Sequence, residues 1–215
     1  MNDWVYIITG FSVAYLLGSI PTAVWVGKWF YGKDIRNEGS GNAGATNTIR
    51  ILGVKAGIPV ILVDVFKGYL AVYLMHYFTS DSFSVETAVY LQIVAGFIAV
   101  IGHALPVFAG FRGGKGVGTL LGVGIALYPV AVWFPVAIFA FVFLLTGYVS
   151  LGSILATAAF PFIVIFFMHE TNPGLIVLSI AAPLLILWTH RKNVQRLIQG
   201  TENRFRFRKK KQKPE

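Results

Sequence analysis

Long apolar segments alternate with short polar ones along most of this chain. The clear apolar spans cover about 4–26, 53–75, 88–110, 151–168 and 174–189. Because a helix of about 20 residues crosses a bilayer core of roughly 30 Å, this pattern predicts an all-α integral membrane protein. The apolar segment 117–147 fits either one long tilted helix or two short helices broken around Tyr128 and Pro129.

The positions of the lysines and arginines choose between these two alternatives. Ten of the 18 lie after His190, and others fall in the segments 27–53 and 108–116. Positively charged residues stay on the cytoplasmic side, so these three segments should face the same way, with an even number of crossings between 116 and the tail. Two short helices satisfy this condition. We therefore predict a bundle of about seven transmembrane helices, with the amino terminus outside and the carboxy terminus cytoplasmic. The outer segments then carry Asp3, Asp81, Glu86 and Glu170 and no basic residue.

The composition supports this class. Of the 215 residues, 56% are hydrophobic and 13% are charged. This charged fraction is about half that of a soluble domain, so the composition excludes a soluble domain. The net charge of +9 lies mostly in the tail, where it favours contact with anionic membrane lipid and not with nucleic acid. The expected organisation is a single transmembrane domain over 1–190 and a basic cytoplasmic tail over 191–215.

The first predicted inner segment that carries chemistry is GSGNAGATNTIR, at 39–50. Its glycines let backbone N–H groups converge on an anion, and the start of the following helix adds a favourable dipole. An arginine at its end can bind two oxygens of a phosphate or carboxylate. A plain glycine-rich connector is the alternative. The candidate residues are Ser40, Gly41, Asn42, Gly44, Thr46, Asn47 and Arg50.

A second glycine-rich segment follows the predicted third span. GHALPVFAGFRGGKGVGT, at 102–119, combines glycines, two cations and the start of a helix, which again favours an anion. Gly118 and Gly122 are expected in a helix-packing seam instead, and a purely structural role for the histidine stays open. The candidate residues are His103, Arg112, Gly113, Gly114, Lys115 and Gly116.

Charged groups inside an apolar span are costly and usually face a protein interior or a wet cavity. Asp64 and Lys67 stand three residues apart, so they can pair on one face of a helix. Two interpretations stay open: a structural pair, or a lysine that binds an anionic substrate next to Gly68. Two further polar groups, Ser150 and the His190–Asn193 turn, are predicted on the same side of the membrane as the glycine loops.

Together these segments resemble the motifs of the bacterial acyl-phosphate:glycerol-3-phosphate acyltransferase family. The likeness covers GSGNAGATNTIR, the Lys67–Gly68 pair, GHALPVFAGFRGGKGV and the closing HRKN, and it extends back to AYLLGSIP at 14–21. The resemblance implies a seven-span enzyme of the inner membrane with a cytoplasmic active site. It also implies transfer of a fatty acyl group from acyl phosphate to the sn-1 hydroxyl of glycerol 3-phosphate, giving lysophosphatidic acid and phosphate in the first step of phospholipid synthesis.

The resemblance also implies site residues and partners. The expected partners are acyl phosphate, glycerol 3-phosphate, membrane lipid and, functionally, the enzyme that makes acyl phosphate. No cofactor is expected, and no metal, because the sequence shows no inner-face cluster of carboxylates. The candidates of the two glycine segments that are not assigned to catalysis are expected to contact the substrates, together with Lys67 and Gly68. Catalysis falls to Ser40, Arg50, Lys115, Ser150, His190 and Asn193.

Acyl phosphate is a mixed anhydride, so its phosphate leaves readily. The sequence shows no inner-face histidine–carboxylate couple, which disfavours an ordinary general base. The resemblance implies substrate-assisted catalysis, in which the donor's phosphate takes the proton, while His190 or His103 as the base stays open. A transporter for an organic phosphate is the alternative function, because intramembrane charge and glycine-broken helices also mark transporters.

Overall fold

The computed structural model describes residues 3–79 and 83–205. Asp81 and the tail after Phe205 lie outside the described residues. The described residues contain no β-strand and form ten α-helices, which confirms the all-α membrane class. The helices are α1 Asp3–Gly18, α2 Thr22–Tyr31, α3 Ala45–Leu52, α4 Val54–Thr79, α5 Val85–Ala104, α6 Val117–Leu127, α7 Trp133–Thr146, α8 Val149–Phe162, α9 Pro173–Thr189 and α10 Arg191–Ile198.

The helices follow the predicted apolar pattern. Three are long and apolar enough to cross a membrane: α4, α5, and α8 with the π-helical turn Ile163–Phe167 that continues it. The segment 117–147 forms two short helices, α6 and α7, which are interrupted at Tyr128 and Pro129 as predicted. Two bent pairs, α1 with α2 and α9 with α10, bring the candidate spans to five. The number of crossings and the sides of the termini stay predictions.

The predicted span 4–26 is not one unbroken helix, because it breaks between α1 and α2 with a bend of 44°. Pro21 causes the break: it has no N–H to donate, and it disfavours a helical conformation at Ile20. Lys67 lies at this break. Its ammonium donates a 2.8 Å hydrogen bond to the Ile20 carbonyl and pairs with the Asp64 carboxylate, also at 2.8 Å. A charged side chain of α4 thus gives the Ile20 carbonyl a second donor, beside the Thr22 N–H that bonds to it at 3.0 Å.

Small residues let α4 and α6 approach closely. A Cβ atom added at Gly68 would collide with the Thr119 carbonyl, and one at Gly122 would collide with the Val65 carbonyl. Close contact between helix backbones is a common use of glycine in membrane bundles. The seam predicted for Gly122 is therefore present, and Gly68, which was assigned to substrate contact, lies in the same seam.

The predicted inner-side segments meet at one end of the bundle. They are the loop before α3, the loop 105–116 before α6, the first turn of α8, and the turn that joins α9 to α10. Residues 199–205, called here the C-terminal strap, fold back onto the same end. Residues on both sides of the predicted boundary between 190 and 191 therefore line the same cavity, and the division into a domain and a tail stays a prediction.

Candidate active site

Asn47 folds the first glycine loop around its own side chain. Its amide oxygen accepts the N–H of Ser40 at 3.0 Å, and its amide nitrogen donates to the carbonyls of Ile35 and Glu38 at 2.9 and 3.0 Å. Gly39 has a φ of +58°, and a Cβ there would stand 2.6 Å from the Asn47 oxygen, so only glycine fits. The Asn47 side chain, which was predicted to contact the substrate, therefore bonds to its own loop. Its hydrogen bond to the Ser40 N–H holds Ser40 at the site.

The two glycine loops are tied to each other. Arg36 pairs with Asp34 at 2.7 Å and donates a 2.7 Å hydrogen bond to the Ala109 carbonyl of the second loop. The N–H groups of Gly113 and Gly114 donate to the carbonyls of Ala104 and His103, which closes the second loop onto the end of α5. These two N–H groups therefore shape the loop and are not directed at a ligand.

A cavity of about 450 Å³ opens between these loops and α6, α8 and α9. Its polar end collects the predicted side chains of all four inner segments, including the arginine of α3 and the lysine of the second loop. The polar residues that line the cavity include Ser40, Asn42, Thr46, Asn47, Arg50, Asp64, His103, Lys115, Ser150, Ser153, Thr157, His190, Asn193, Arg196, Glu202 and Asn203.

A hydrogen-bonded chain crosses the polar end. The Lys115 ammonium donates to the Asn193 amide oxygen at 2.6 Å, and the Asn193 amide nitrogen donates to the Glu202 carboxylate at 2.7 Å. The Ser150 hydroxyl donates to the same carboxylate oxygen at 2.8 Å, and Arg196 donates to the other one at 2.7 Å. Three of the predicted catalytic residues thus belong to one network with two residues that sequence reasoning missed, Arg196 and Glu202.

Two charged residues of this network, Lys115 and Glu202, have shifted pKa values. Burial lowers the pKa of Lys115 to about 8; Glu202 opposes this shift, and Arg196 and Arg50 add to it. Burial raises the pKa of Glu202, but hydrogen bonds from Arg196, Asn193 and Ser150 outweigh burial and hold that pKa below its usual value. At neutral pH the site therefore contains a Lys115 ammonium whose pKa is close to the ambient pH. It also contains a Glu202 carboxylate that is fully ionised.

Two histidines lie in the cavity wall. The Nδ1 of His190 lies 2.9 Å from the Ile186 carbonyl, which can only accept, so Nδ1 carries the proton and Nε2 is the free nitrogen. His103 Nδ1 lies 3.6 Å from Asp64 Oδ1. The absence of a histidine–carboxylate couple, inferred from the sequence, is therefore wrong: α4 and α5 bring together two residues 39 positions apart. In the described ranges, no three His, Asp or Glu side chains converge as metal ligands would.

The other end of the same cavity is apolar. It runs the length of α6 and continues between α7, α8 and α9, away from the charged groups. Tyr128 and Phe160 stand at its far end, with ring centroids 5.0 Å apart in an edge-to-face contact, and the Tyr128 hydroxyl donates to the Leu175 carbonyl. The apolar lining includes Val117, Leu120, Leu121, Val123, Val132, Val136, Phe139, Ala156, Phe160, Leu178 and Ala182.

A second, more polar cavity of about 420 Å³ lies beside the first, between the two glycine loops and α10. Five residues line both cavities and so mark their junction: Ser40, Asn42, Lys115, Asn193 and Arg196. Other predicted binding residues reach only the second cavity: Gly41, Arg112, Gly113 and Gly114.

The structure thus brings nearly all the sequence-predicted residues to one site. Gly44 and Gly116 line the first cavity with their polar neighbours. The exceptions are Lys67, whose side chain is 3% exposed at the break between α1 and α2, and Gly68 in the helix seam; neither lines either cavity. The contacts of Lys67 favour the structural alternative for the Asp64–Lys67 pair.

The chain was compared with known proteins. The family model for glycerol-3-phosphate acyltransferase matches residues 8–200. A glycerol-3-phosphate acyltransferase of Chlorobium phaeovibrioides is 41% identical, over 92% of this chain and 96% of its own length. One of Fusobacterium nucleatum is also 41% identical, over 91% of this chain and 96% of its own.

Two solved structures share the fold. The crystal structure of PlsY (YgiH), an integral membrane glycerol 3-phosphate acyltransferase, in its glycerol 3-phosphate form matches with a TM-score of 0.82 and 37% identity, over 96% of both chains. The lysophosphatidic acid form matches with a TM-score of 0.80, over 93% of this chain and 95% of that one. The chain therefore belongs to the glycerol-3-phosphate acyltransferase family.

Proposed function

We propose that this acyltransferase uses acyl phosphate as its donor and acylates the sn-1 hydroxyl of glycerol 3-phosphate. One observation carries the proposal: a single cavity joins a cationic end, with Arg50 and Lys115, to a long apolar end that Tyr128 and Phe160 close. An acyl phosphate has the same polarity, with a phosphate at one end and a hydrocarbon chain behind it. The apolar lining takes the chain, and the charged end takes the phosphate.

The second cavity suits glycerol 3-phosphate. It is polar, and Arg112, Arg191 and Lys192 line it with the second glycine loop. The two cavities meet at Ser40, Lys115 and Asn193. With the donor in the first cavity and the acceptor in the second, the acyl carbonyl and the acceptor hydroxyl would meet at this junction.

Acyl transfer at the junction needs no external reagent. The acceptor hydroxyl oxygen attacks the acyl carbon, the new ester C–O bond forms, and the bond from the acyl carbon to the phosphate oxygen breaks. The hydroxyl proton goes to the departing phosphate, which leaves as inorganic phosphate. The Lys115 ammonium at the junction would stabilise the negative charge that develops in this step, and the remaining network would position the reactants. His103, with its Asp64 partner, and His190 are the side-chain alternatives for the proton acceptor.

We further propose that this end of the bundle faces the cytoplasm in the inner membrane. The support is the clustering of basic residues there: Arg50, Arg112 and Lys115, and the first residues of α10. The described ranges place Asp3 and Glu86 in the first turns of α1 and α5, two helices that carry no lysine or arginine. The basic tail would then contact anionic lipid on the inner leaflet.

The test uses the purified full-length chain in detergent or lipid, with palmitoyl phosphate and glycerol 3-phosphate. We expect inorganic phosphate and lysophosphatidic acid in equal amounts, with the acyl group on the sn-1 oxygen. Palmitoyl-CoA in place of palmitoyl phosphate should give no product. Equal turnover with palmitoyl-CoA would refute the donor, and release of phosphate without the lysolipid would indicate hydrolysis instead of transfer.

A further inference from the structure

The C-terminal strap is anchored beside the active site. The Phe205 N–H donates to the Gly147 carbonyl at 2.8 Å, and Arg204 donates to the Tyr148 hydroxyl at 3.0 Å while its guanidinium lies over the same ring. Both contacts are to the turn between α7 and α8, next to Ser150 in the first turn of α8. The anchoring therefore directs Glu202, which lies between the two ends of the strap, into the first cavity.

The Glu202 carboxylate fixes which way the Asn193 amide faces. An ionised carboxylate only accepts hydrogen bonds and an ammonium only donates them. The Asn193 amide lies between Glu202, at 2.7 Å, and Lys115, at 2.6 Å. If the amide were flipped, its NH2 group would face the ammonium and its oxygen would face the carboxylate, so both contacts would become repulsive.

We propose that Glu202 is a positioning residue for acyl transfer: through Asn193 it holds the Lys115 ammonium at the junction of the two cavities. The reaction itself rests on the proposed function above. The Glu202 side chain is 7% exposed and accepts hydrogen bonds from Ser150, Asn193 and Arg196, each between 2.7 and 2.8 Å. A buried carboxylate with three donors is held in one position and holds its partners in turn.

The opposite role for the same carboxylate would be a blocking anion. Three donors converge on Glu202, and a substrate phosphate would suit the same donors, so a strap that competes with the substrate would inhibit the enzyme. The two roles predict opposite signs. Removing a positioning group slows turnover, whereas removing a blocking group speeds it.

Electrostatics give a readout that a purely structural role would not change. Arg50 from α3, His190 from the end of α9, Arg196 from α10 and Glu202 from the strap all face Lys115. Glu202 favours the charged ammonium, while Arg50 and Arg196 oppose it. Loss of the carboxylate should therefore lower the pKa of Lys115 further below its usual value.

The first experiment follows the titration of Lys115 by NMR, on the full-length chain in detergent with its lysines methylated with a 13C label. The Lys115 signal is identified by its absence in Lys115→Arg. In Glu202→Gln the midpoint should move to lower pH. In the matched control Glu86→Gln, which removes an exposed carboxylate from the first turn of α5, it should stay at the wild-type value. An unchanged or higher midpoint in Glu202→Gln would overturn the proposal.

The second experiment measures turnover with palmitoyl phosphate. Glu202→Gln should lower kcat by roughly 10²-fold, the effect of a misplaced catalytic group. In an Asn193→Ala background the same substitution should have little further effect, because Glu202 acts through that amide. An unchanged or increased kcat would overturn positioning and indicate a blocking anion.

Two safeguards keep the outcomes distinct. If Glu202→Gln does not fold, Glu202→Asp replaces it: the charge remains, so the Lys115 midpoint should stay near wild type while kcat falls to an intermediate value. A midpoint that drops in Glu202→Asp would count against the proposal. If the wild-type chain does not turn over palmitoyl phosphate, the proposed donor fails; the proposal for Glu202 fails separately if the Lys115 midpoint in Glu202→Gln does not move to lower pH.

Discussion

Lys115 gives the sharpest prediction, because its charge and its titration both follow from where it lies. Its ammonium donates to Asn193 at the junction of the two cavities, and burial lowers its pKa to about 8. A lysine with a lowered pKa loses its positive charge as the pH rises through that value. If the ammonium charge stabilises the transition state, the pH–rate profile should show full activity below pH 7. Activity should then fall at alkaline pH as Lys115 loses its proton.

The size of the fall follows from the pKa. With a pKa of about 8, about nine-tenths of Lys115 is protonated at pH 7 and about one-hundredth at pH 10. The kcat/KM, which reports groups of the free enzyme, should therefore fall about tenfold per pH unit above 8. Lys115→Met should cost roughly 10²–10³-fold in kcat at pH 7, the loss seen when one preorganised donor is removed, and should lack the alkaline limb.

The assay follows lysophosphatidic acid formation from pH 6 to 10, with the non-enzymatic hydrolysis of acyl phosphate subtracted. Lys115→Arg is the matched control, because a guanidinium keeps its charge over this whole range. Its rate at pH 7 should be lower, since its shape differs, but its profile should stay flat above pH 8. A wild-type profile that is flat to pH 10, or a limb that persists in Lys115→Arg, would refute the assignment of the charge to Lys115.

Four further predictions follow from the described contacts. If the donor's phosphate takes the proton, His190→Gln and His103→Gln should each lower kcat by less than the roughly 10²-fold loss expected for a general base, measured at saturating substrate. Asn47→Ala should lower the free energy of unfolding by about 1–3 kcal/mol, because it leaves buried groups of the loop without partners, and thermal unfolding in detergent checks this. Tyr128→Ala should open the far end of the apolar cavity and shift the preference toward longer acyl phosphates, by up to about fourfold in kcat/KM for each added methylene at about 0.8 kcal/mol, whereas Tyr128→Phe should leave the preference unchanged. Gly68→Ala should lower the unfolding temperature with little change in the KM of the remaining active enzyme, and an intact fold with a raised KM would instead support a substrate contact.

Much of the site could be predicted because its signals are local in the sequence. The glycine loops around Ser40 and Lys115 combine residues that bind anions with residues that break helices, and both properties act within a few positions. The even number of membrane crossings required between the basic segments likewise placed Ser150 and His190 on the same side as the loops. The helix break at Tyr128 followed from that count. The break at Pro21 was missed, although its signal, a proline within an apolar span, is visible in the sequence.

Other features depended on tertiary contacts. Glu202 stands 52 positions from Ser150, and nothing near it in the sequence distinguishes it from a residue of a solvated basic tail. Lys67 and Gly68 carried a plausible substrate motif, yet the packing of α4 against the α1–α2 break and against α6 uses both of them structurally. The sequence by itself determined the apolar helices, the break at Tyr128 and the positions of the two glycine loops, because hydropathy and backbone preference act over a few residues. Only the tertiary structure decided which charged groups meet, because their pairing depends on helix packing that brings distant positions within hydrogen-bonding distance.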